Sequence, residues 1–120
     1  LSNAIANKNV LKANKIANYF AKNSKNHPLV LTIYSLYRLF TKIMGCYFSP
    51  SDQPDIIAKT IGVNSFFAKE YITGKRNYSK RQIFTIIGYL SEYDLKAKGY
   101  GNVSTSDGEL LKELVFKILH

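Results

Sequence analysis

The sequence predicts an all-α fold, a bundle of about six helices that contains one helix-turn-helix-like pair. Apolar residues recur at helical spacing in almost every segment, and no two stretches pair convincingly as strands. A length of 120 residues with 46% hydrophobic composition is enough for one core. We therefore expect residues 5–120 to form a single helical domain. We interpret residues 1–4, which contain "SNA", as a probable tag remnant and the chain as a fragment of a longer protein.

The first helix is predicted over residues 5–22. Its apolar side carries Ile16, Ala17, Tyr19 and Phe20, and four lysines recur at near-helical spacing on the other side. These are Lys8, Lys12, Lys15 and Lys22. The turn-forming stretch "NSKNHP" ends this helix, and its proline suits the first turn of the next one.

The second helix, predicted over residues 28–48, is apolar on most of its circumference. A narrow polar strip interrupts it, formed by Thr32, Ser35, Arg38 and Lys42. The two charges leave an uncharged apolar run well short of the roughly 20 residues that a membrane span needs. We expect a central helix packed on several neighbours.

The third and fourth helices are predicted within "PDIIAKTIGVNSFFAKEYITGKRNYS", residues 54–79, with Gly62 as the structural turn between them. Ser51 or Asp52 is the expected cap of the third helix. Alignment on the glycine puts the small Ala58 where the second helix of the pair must cross. The residues expected to pack inward are Ile57, Ile61, Val63, Ala68 and Tyr71.

The fifth helix is predicted to start at Ser79, which forms a capping box with Gln82. Gly88 in its middle suggests a close neighbour there. The longest loop is expected at residues 99–105, followed by a last helix capped by Ser106 with Glu109 and carrying a Glu113–Lys117 pair. The inward residues of the two helices are Ile83, Ile86, Ile87, Leu90 and Tyr93, then Leu110, Leu111, Leu114, Val115 and Ile118.

The helix pair allows two functions, base reading or protein packing. Asn64, Ser65 and Lys69 are residue types that can contact base edges. Adjacent Phe66 and Phe67 cannot share one direction, so at least one ring needs a partner surface, and Glu70 would oppose phosphate binding. We favour protein packing, with Phe66, Phe67 and Tyr71 as the candidate interface, and keep a helix-turn-helix domain of a transcription regulator as the alternative.

The charge is uneven along the chain. Of the 17 basic residues, seven precede Asp52, the first acidic residue, and the formal net charge is +9. Such a balance suits a polyanion or an acidic partner surface, but a solvated face is an equal explanation. The candidate contacts for nucleic acid or an acidic partner are Lys8, Lys12, Lys15, Lys22, Lys69, Lys75 and Arg76.

The residue inventory offers no catalytic, metal or cofactor site. His27 and His120 are the only histidines, too few and too isolated for a zinc site or a His-based triad. No glycine-rich phosphate loop is present. The single cysteine, Cys46, excludes an internal disulfide, fits a reducing cytoplasm and is expected to be a buried small apolar residue. We expect no enzyme activity, no cofactor, no metal, no small-molecule substrate and no membrane partner.

The segment "SKRQIFTIIGYLSEYDLKAKG" resembles the end of the C-terminal domain of the delta subunit of bacterial DNA polymerase III, a clamp-loader subunit. Upstream, "IAKTIGVNSFFAKEY" resembles the family's "IA..LGV.PF.VKKY" pattern, and "KANKIANYFAKNSKNHPL" and "ELLKELVFKIL" also fit the family. The matched positions are Ser79, Leu90, Asp94, Leu95, Lys98 and Gly99, and Ile57, Ala58, Gly62, Val63, Phe66, Lys69 and Tyr71. A second phenylalanine after Phe66 and the "ITGKRN" that follows the tyrosine depart from the family.

The resemblance covers nearly the whole chain after residue 4. It implies a non-catalytic, helical collar domain that packs beside the equivalent domains of other clamp-loader subunits in DNA replication. It implies no nucleotide binding by this domain, and DNA contact is reduced to a weak, non-specific possibility. Asp94 and Lys98 are then a helix-end ion pair at the surface rather than an acid/base couple.

Overall fold

The structure, a computed structural model, describes residues 1–101 and 104–120. Seven α-helices and no strand occur in these ranges, which confirms the all-α prediction. The helices are α1 (Ser2–Ala6), α2 (Val10–Lys22), α3 (Leu29–Cys46), α4 (Pro54–Ile61), α5 (Ala68–Asn77), α6 (Lys80–Ala97) and α7 (Asp107–Leu119), and one 3-10 turn (Ser65–Phe67) precedes α5.

The first predicted helix is two helices, so the prediction of one helix over residues 5–22 is wrong. Lys8 takes a positive φ of 53° and ends α1. The N–H of Lys8 donates to the carbonyl of Ile5 and that of Asn9 to the carbonyl of Ala4, a Schellman arrangement in which glycine is usual. Asn9 then caps α2, because its side chain accepts from the N–H of Lys12. Asparagine is a common N-cap residue, so the start of α2 at Asn9 has a sequence signal. A lysine rarely takes the left-handed conformation, so the end of α1 at Lys8 could not be predicted from the sequence.

Most buried side chains form one core shared by α1, α2, α3, α6 and α7. Its members include Ala17, Leu36, Phe40, Tyr93 and Leu114. A smaller cluster beside the end of α3 joins α4 to the start of α5. The predicted inward residues of α6 and α7 are buried in the larger core, except Ile87, which is partly buried. The molecule is elongated, with extents of 46 × 24 × 23 Å.

The helix α3 has the length and hydropathy of a possible membrane span, but 44% of it is buried inside the bundle. Leu36, Phe40 and Ile43 are among its fully buried side chains. This pattern is that of a core helix, as the sequence predicted.

The helix caps agree with the sequence in part. Ser79 and Gln82 form the predicted capping box at the start of α6, and the Ser106 hydroxyl accepts from the N–H of Glu109 at 3.3 Å. The predicted cap of α4 is wrong, because the cap residue is Gln53 and Pro54 occupies the first turn. Proline needs no capped N–H there, which removes part of the demand for a capping side chain.

Two further predictions are corrected. A Cβ at Gly88 would meet nothing within 4 Å, whereas Gly74 allows a close approach, because a Cβ there would meet Ile43. Within the described residues, Lys117 pairs with Glu92 at 3.6 Å and not with Glu113.

The predicted Asp94–Lys98 pair is present at 2.8 Å. The predicted loop contains Asn102 and Val103, which lie outside the described residues.

Candidate interaction surfaces

The turn of the helix pair is formed as predicted. Gly62 adopts φ 72° and ψ 41°, a left-handed conformation that glycine reaches without a Cβ penalty. Ile57, Ala58, Ile61 and Ala68 are buried beside it, and Val63 and Tyr71 are partly buried. The pair therefore has its own small core, which explains the spacing of its apolar residues.

The start of the second helix of this pair presents an aromatic surface. Phe66 is 84% exposed and Phe67 56% exposed, and their rings meet edge to face with centroids 5.4 Å apart. The side-chain oxygen of Asn64 caps the 3-10 turn by accepting from the N–H of Phe66 at 2.9 Å. The side-chain oxygen of Asn64 is thus bonded to the backbone, whereas in a base-reading helix this side chain would point toward the DNA.

The third predicted interface residue, Tyr71, is partly buried, unlike the exposed Phe66 and Phe67. Its ring packs against both core clusters. Burial, and next the charge of Glu70, raise the pKa of Tyr71 above the usual phenol value. The structure thus brings Phe66 and Phe67 together at the surface, whereas Tyr71 packs toward the core.

The predicted basic residues are distributed over several surfaces. Lys12, Lys15 and Lys22 are exposed on α2, and Lys69 and Arg76 are exposed on α5. Lys8 belongs to no helical stripe, because it lies in the turn between α1 and α2, and its Nζ lies 4.9 Å from the centroid of the Tyr78 ring. Lys75 forms an ion pair with Asp52 at 2.6 Å and lies over the Tyr47 ring.

The sequence missed an exposed face on the pair α3 and α6. Val30, Tyr34 and Tyr37 follow one another at helical spacing along α3, and all three are exposed. Together with Leu90, Ser91, Asp94 and others they line a groove of about 390 Å³ between the two helices. Phe84 and Leu95, also exposed, continue the spacing of Ser91 along α6. We call Val30, Tyr34, Tyr37, Phe84, Ser91 and Leu95 the α3–α6 face.

The polar strip that the sequence marked on α3 is partly internal, which explains why this face was missed. Thr32 is buried, and its hydroxyl donates to the carbonyl of Pro28 at 3.4 Å. Lys42 donates to the carbonyl of Ile61 at 2.9 Å, so it satisfies the last turn of α4. Thr32 and Lys42 thus form contacts within the fold, whereas Tyr34 and Tyr37 lie on the exposed side of α3. Helix α3 thus packs on several neighbours, as predicted, and leaves one side exposed.

The described residues offer no group of three metal-ligating side chains. Cys46 is free and fully buried, as predicted, and its thiol donates to the carbonyl of Lys42 at 3.4 Å. Burial raises its pKa from 9.0 to about 11. A thiol in this state is protonated at neutral pH and is a poor nucleophile.

A comparison with protein families shows to which family the chain belongs. The family model of the DNA polymerase III delta subunit, C-terminal domain, matches residues 1–116. The chain belongs to this family. The delta C-terminal domain is a non-catalytic assembly domain of the clamp loader, and no finding supports the transcription-regulator alternative. No curated protein and no solved structure gives a significant match to the chain.

Proposed function

We propose that this delta-family domain packs against the helical domain of another clamp-loader subunit through the α3–α6 face. The observation that carries the proposal is the exposure of Tyr34 and Tyr37 on a helix whose other side is the centre of the core. Tyrosine is enriched at the energetic centres of interfaces because it adds a large, rigid contact area and a polar end.

The size of the face suits a stable contact. Both α3 and α6 have 18 residues, so each is about 27 Å long. A stable interface buries about 800 Å² on each partner, which requires a surface of this length rather than a single exposed side chain. The small residues Gly88 and Ser91 leave space on α6 for side chains of the partner.

The charge of the face favours a protein partner over nucleic acid. The two charged residues of the groove, Asp94 and Lys98, already neutralise each other. Apolar and aromatic atoms then remain as the main source of binding free energy. A phosphate backbone would find no net positive charge in this groove.

The pair Phe66 and Phe67 is proposed as a second contact within the same assembly, together with the exposed part of Tyr71. The high exposure of Phe66 supports this role. The exposed lysines of α2, together with Lys69 and Arg76, are proposed to make at most a weak, salt-dependent contact with DNA, because a net charge of +9 favours polyanions. We further propose that residues 5–120 act in the cytoplasm as one domain without catalysis, cofactor or metal.

Replacing a tyrosine of the α3–α6 face tests the proposal. Tyr34→Ser, alone and with Tyr37→Ser, should weaken association with the partner clamp-loader subunits about tenfold or more, since a central tyrosine contributes about 2 kcal/mol. Tyr19→Ser on α2 is the matched control, because Tyr19 is 58% exposed and Tyr34 is 59% exposed. The measurement is a binding titration of each variant against the remaining subunits, with circular dichroism to confirm the helical fold.

Equal binding by the wild-type chain and the Tyr34/Tyr37 variant would show that this face is not the interface. A loss caused instead by Phe66→Ser and Phe67→Ser would move the main contact to the aromatic pair. Equal losses from Tyr19→Ser and Tyr34→Ser would show that exposed area in general, and not this face, governs association.

A further inference from the structure

A basic pocket lies where α6 begins and α7 ends. Its volume is about 260 Å³, and its walls include Lys8, Arg81, Lys117 and His120. Gln82 and Thr85 add polar groups, and Tyr78 and Tyr89 add aromatic walls. No aspartate or glutamate is among the lining residues. Three cations, Lys8, Arg81 and Lys117, therefore border one concave space and outnumber the one carboxylate of the lining, the terminal group of His120.

Only part of this charge is neutralised within the described residues. Lys117 has Glu92 at 3.6 Å, but that carboxylate also holds Lys96 at 3.3 Å. Lys8 reaches only the carbonyl of Asn77, at 3.5 Å, and the face of the Tyr78 ring. Neither Lys8 nor Arg81 forms an ion pair in the part of the chain that the structure describes. The pocket thus holds positive charge that an anion can neutralise.

The backbone places Lys8 at this pocket. Its left-handed conformation, rare for a residue with a Cβ, turns the chain between α1 and α2. The two helix ends in the pocket oppose each other, because α6 presents its positive end and α7 its negative end. The attraction for an anion must therefore come from the side chains and not from the helix dipoles.

We propose that this pocket binds a phosphate group. The planar guanidinium of Arg81 can hold two phosphate oxygens at once, and lysine ammonium groups add point charges from other sides. The phosphate can belong to a nucleic-acid backbone or to a free phosphate compound, and the chemistry of the pocket is the same for both. This site is separate from the α3–α6 face and does not depend on subunit packing.

The test is a titration of the ¹⁵N-labelled chain with inorganic phosphate, followed by amide chemical shifts at constant ionic strength. We expect saturable shifts at Arg81, Gln82, Thr85 and Lys117. The double variant Arg81→Gln/Lys117→Gln should weaken binding about tenfold or more, since hydrogen bonds to charged groups are the stronger class. Lys15→Gln/Lys22→Gln removes the same charge from α2 and should leave the affinity unchanged.

A short single-stranded oligonucleotide distinguishes the two sources of phosphate. Competition between the oligonucleotide and inorganic phosphate for the same amides identifies a nucleic-acid backbone as a ligand, whereas shifts caused by phosphate alone identify a free phosphate compound. The proposal is overturned if the wild-type shifts do not saturate, if they spread over all lysine-bearing surfaces, or if the two double variants lose affinity equally. The wild-type titration decides the matter even if the pocket variant does not fold.

Discussion

Several lysines of this chain have structural partners, so the net charge overstates the surface available to a polyanion. Lys42 satisfies the carbonyl of Ile61, and Lys75 joins Asp52. Because each of these contacts spans elements distant in sequence, residue spacing alone could not reveal them. The exposed lysines of α2 differ in this respect, and there the sequence assigned an outward position correctly.

Glycines show the same limit of sequence reasoning. The turn at Gly62 was predictable because its requirement is local, a left-handed backbone between two apolar helices. The importance of Gly74 was not, because it depends on Ile43 of another helix. Gly88, which the sequence marked as a close approach, faces open space.

Alanine at these two helical positions should have opposite effects. Gly74→Ala places a Cβ 2.8 Å from Cγ1 of buried Ile43. Such overpacking costs about 1–3 kcal/mol, partly offset by the better helix propensity of alanine. Gly88→Ala meets no neighbour and should raise the free energy of unfolding by about 1 kcal/mol. Urea denaturation measures both, and a stabilised Gly74→Ala would contradict the packing of α5 on α3.

At the scale of elements, α1 is held mainly by contacts with distant parts of the chain. Ala4, Ile5 and Ala6 are buried, although the helix has only five residues. The Tyr78 hydroxyl donates to the carbonyl of Ile5 at 2.7 Å, and Asn77 donates to the carbonyl of Ala6 at 2.8 Å. Burial raises the pKa of Tyr78, which keeps the phenol a neutral donor. A helix this short depends on such tertiary contacts.

Tyr78→Phe should therefore loosen α1. The substitution removes this donor, although the carbonyl of Ile5 still accepts from the N–H of Lys8, and it should lower the free energy of unfolding by about 0.5–1.5 kcal/mol. Hydrogen exchange should increase first at the amides of α1 and the turn after it. Tyr34→Phe at an exposed site is the control and should change neither quantity. Unchanged exchange in α1 after Tyr78→Phe would show that the Tyr78 hydroxyl does not hold it, and that apolar packing and the Asn77 hydrogen bond are sufficient.

Helices α6 and α3 show when local sequence signals are sufficient to predict the buried side of a helix. Helix α6 has a capping box and a periodic apolar stripe, and both its start and its buried side follow from them. Helix α3 has apolar residues on nearly every side, so its periodicity could not separate the core side from the exposed tyrosines. Prediction of the candidate interface on α3 therefore required knowledge of where the other helices lie.

At the scale of the whole molecule, the surfaces separate by chemistry. The α3–α6 face is apolar with a neutralised ion pair, whereas the pocket between α6 and α7 is basic. The first suits a helical protein partner and the second an anion. One elongated domain thus offers an apolar face that suits a neighbouring subunit and, apart from it, a basic pocket that suits an anion.

Native mass spectrometry of this chain with the other clamp-loader subunits tests assembly most directly. A delta-family assembly domain predicts a complex of defined stoichiometry that survives physiological salt, because apolar burial is little affected by ionic strength. Absence of any such complex, together with tight binding of one duplex sequence at the same salt concentration, would contradict it.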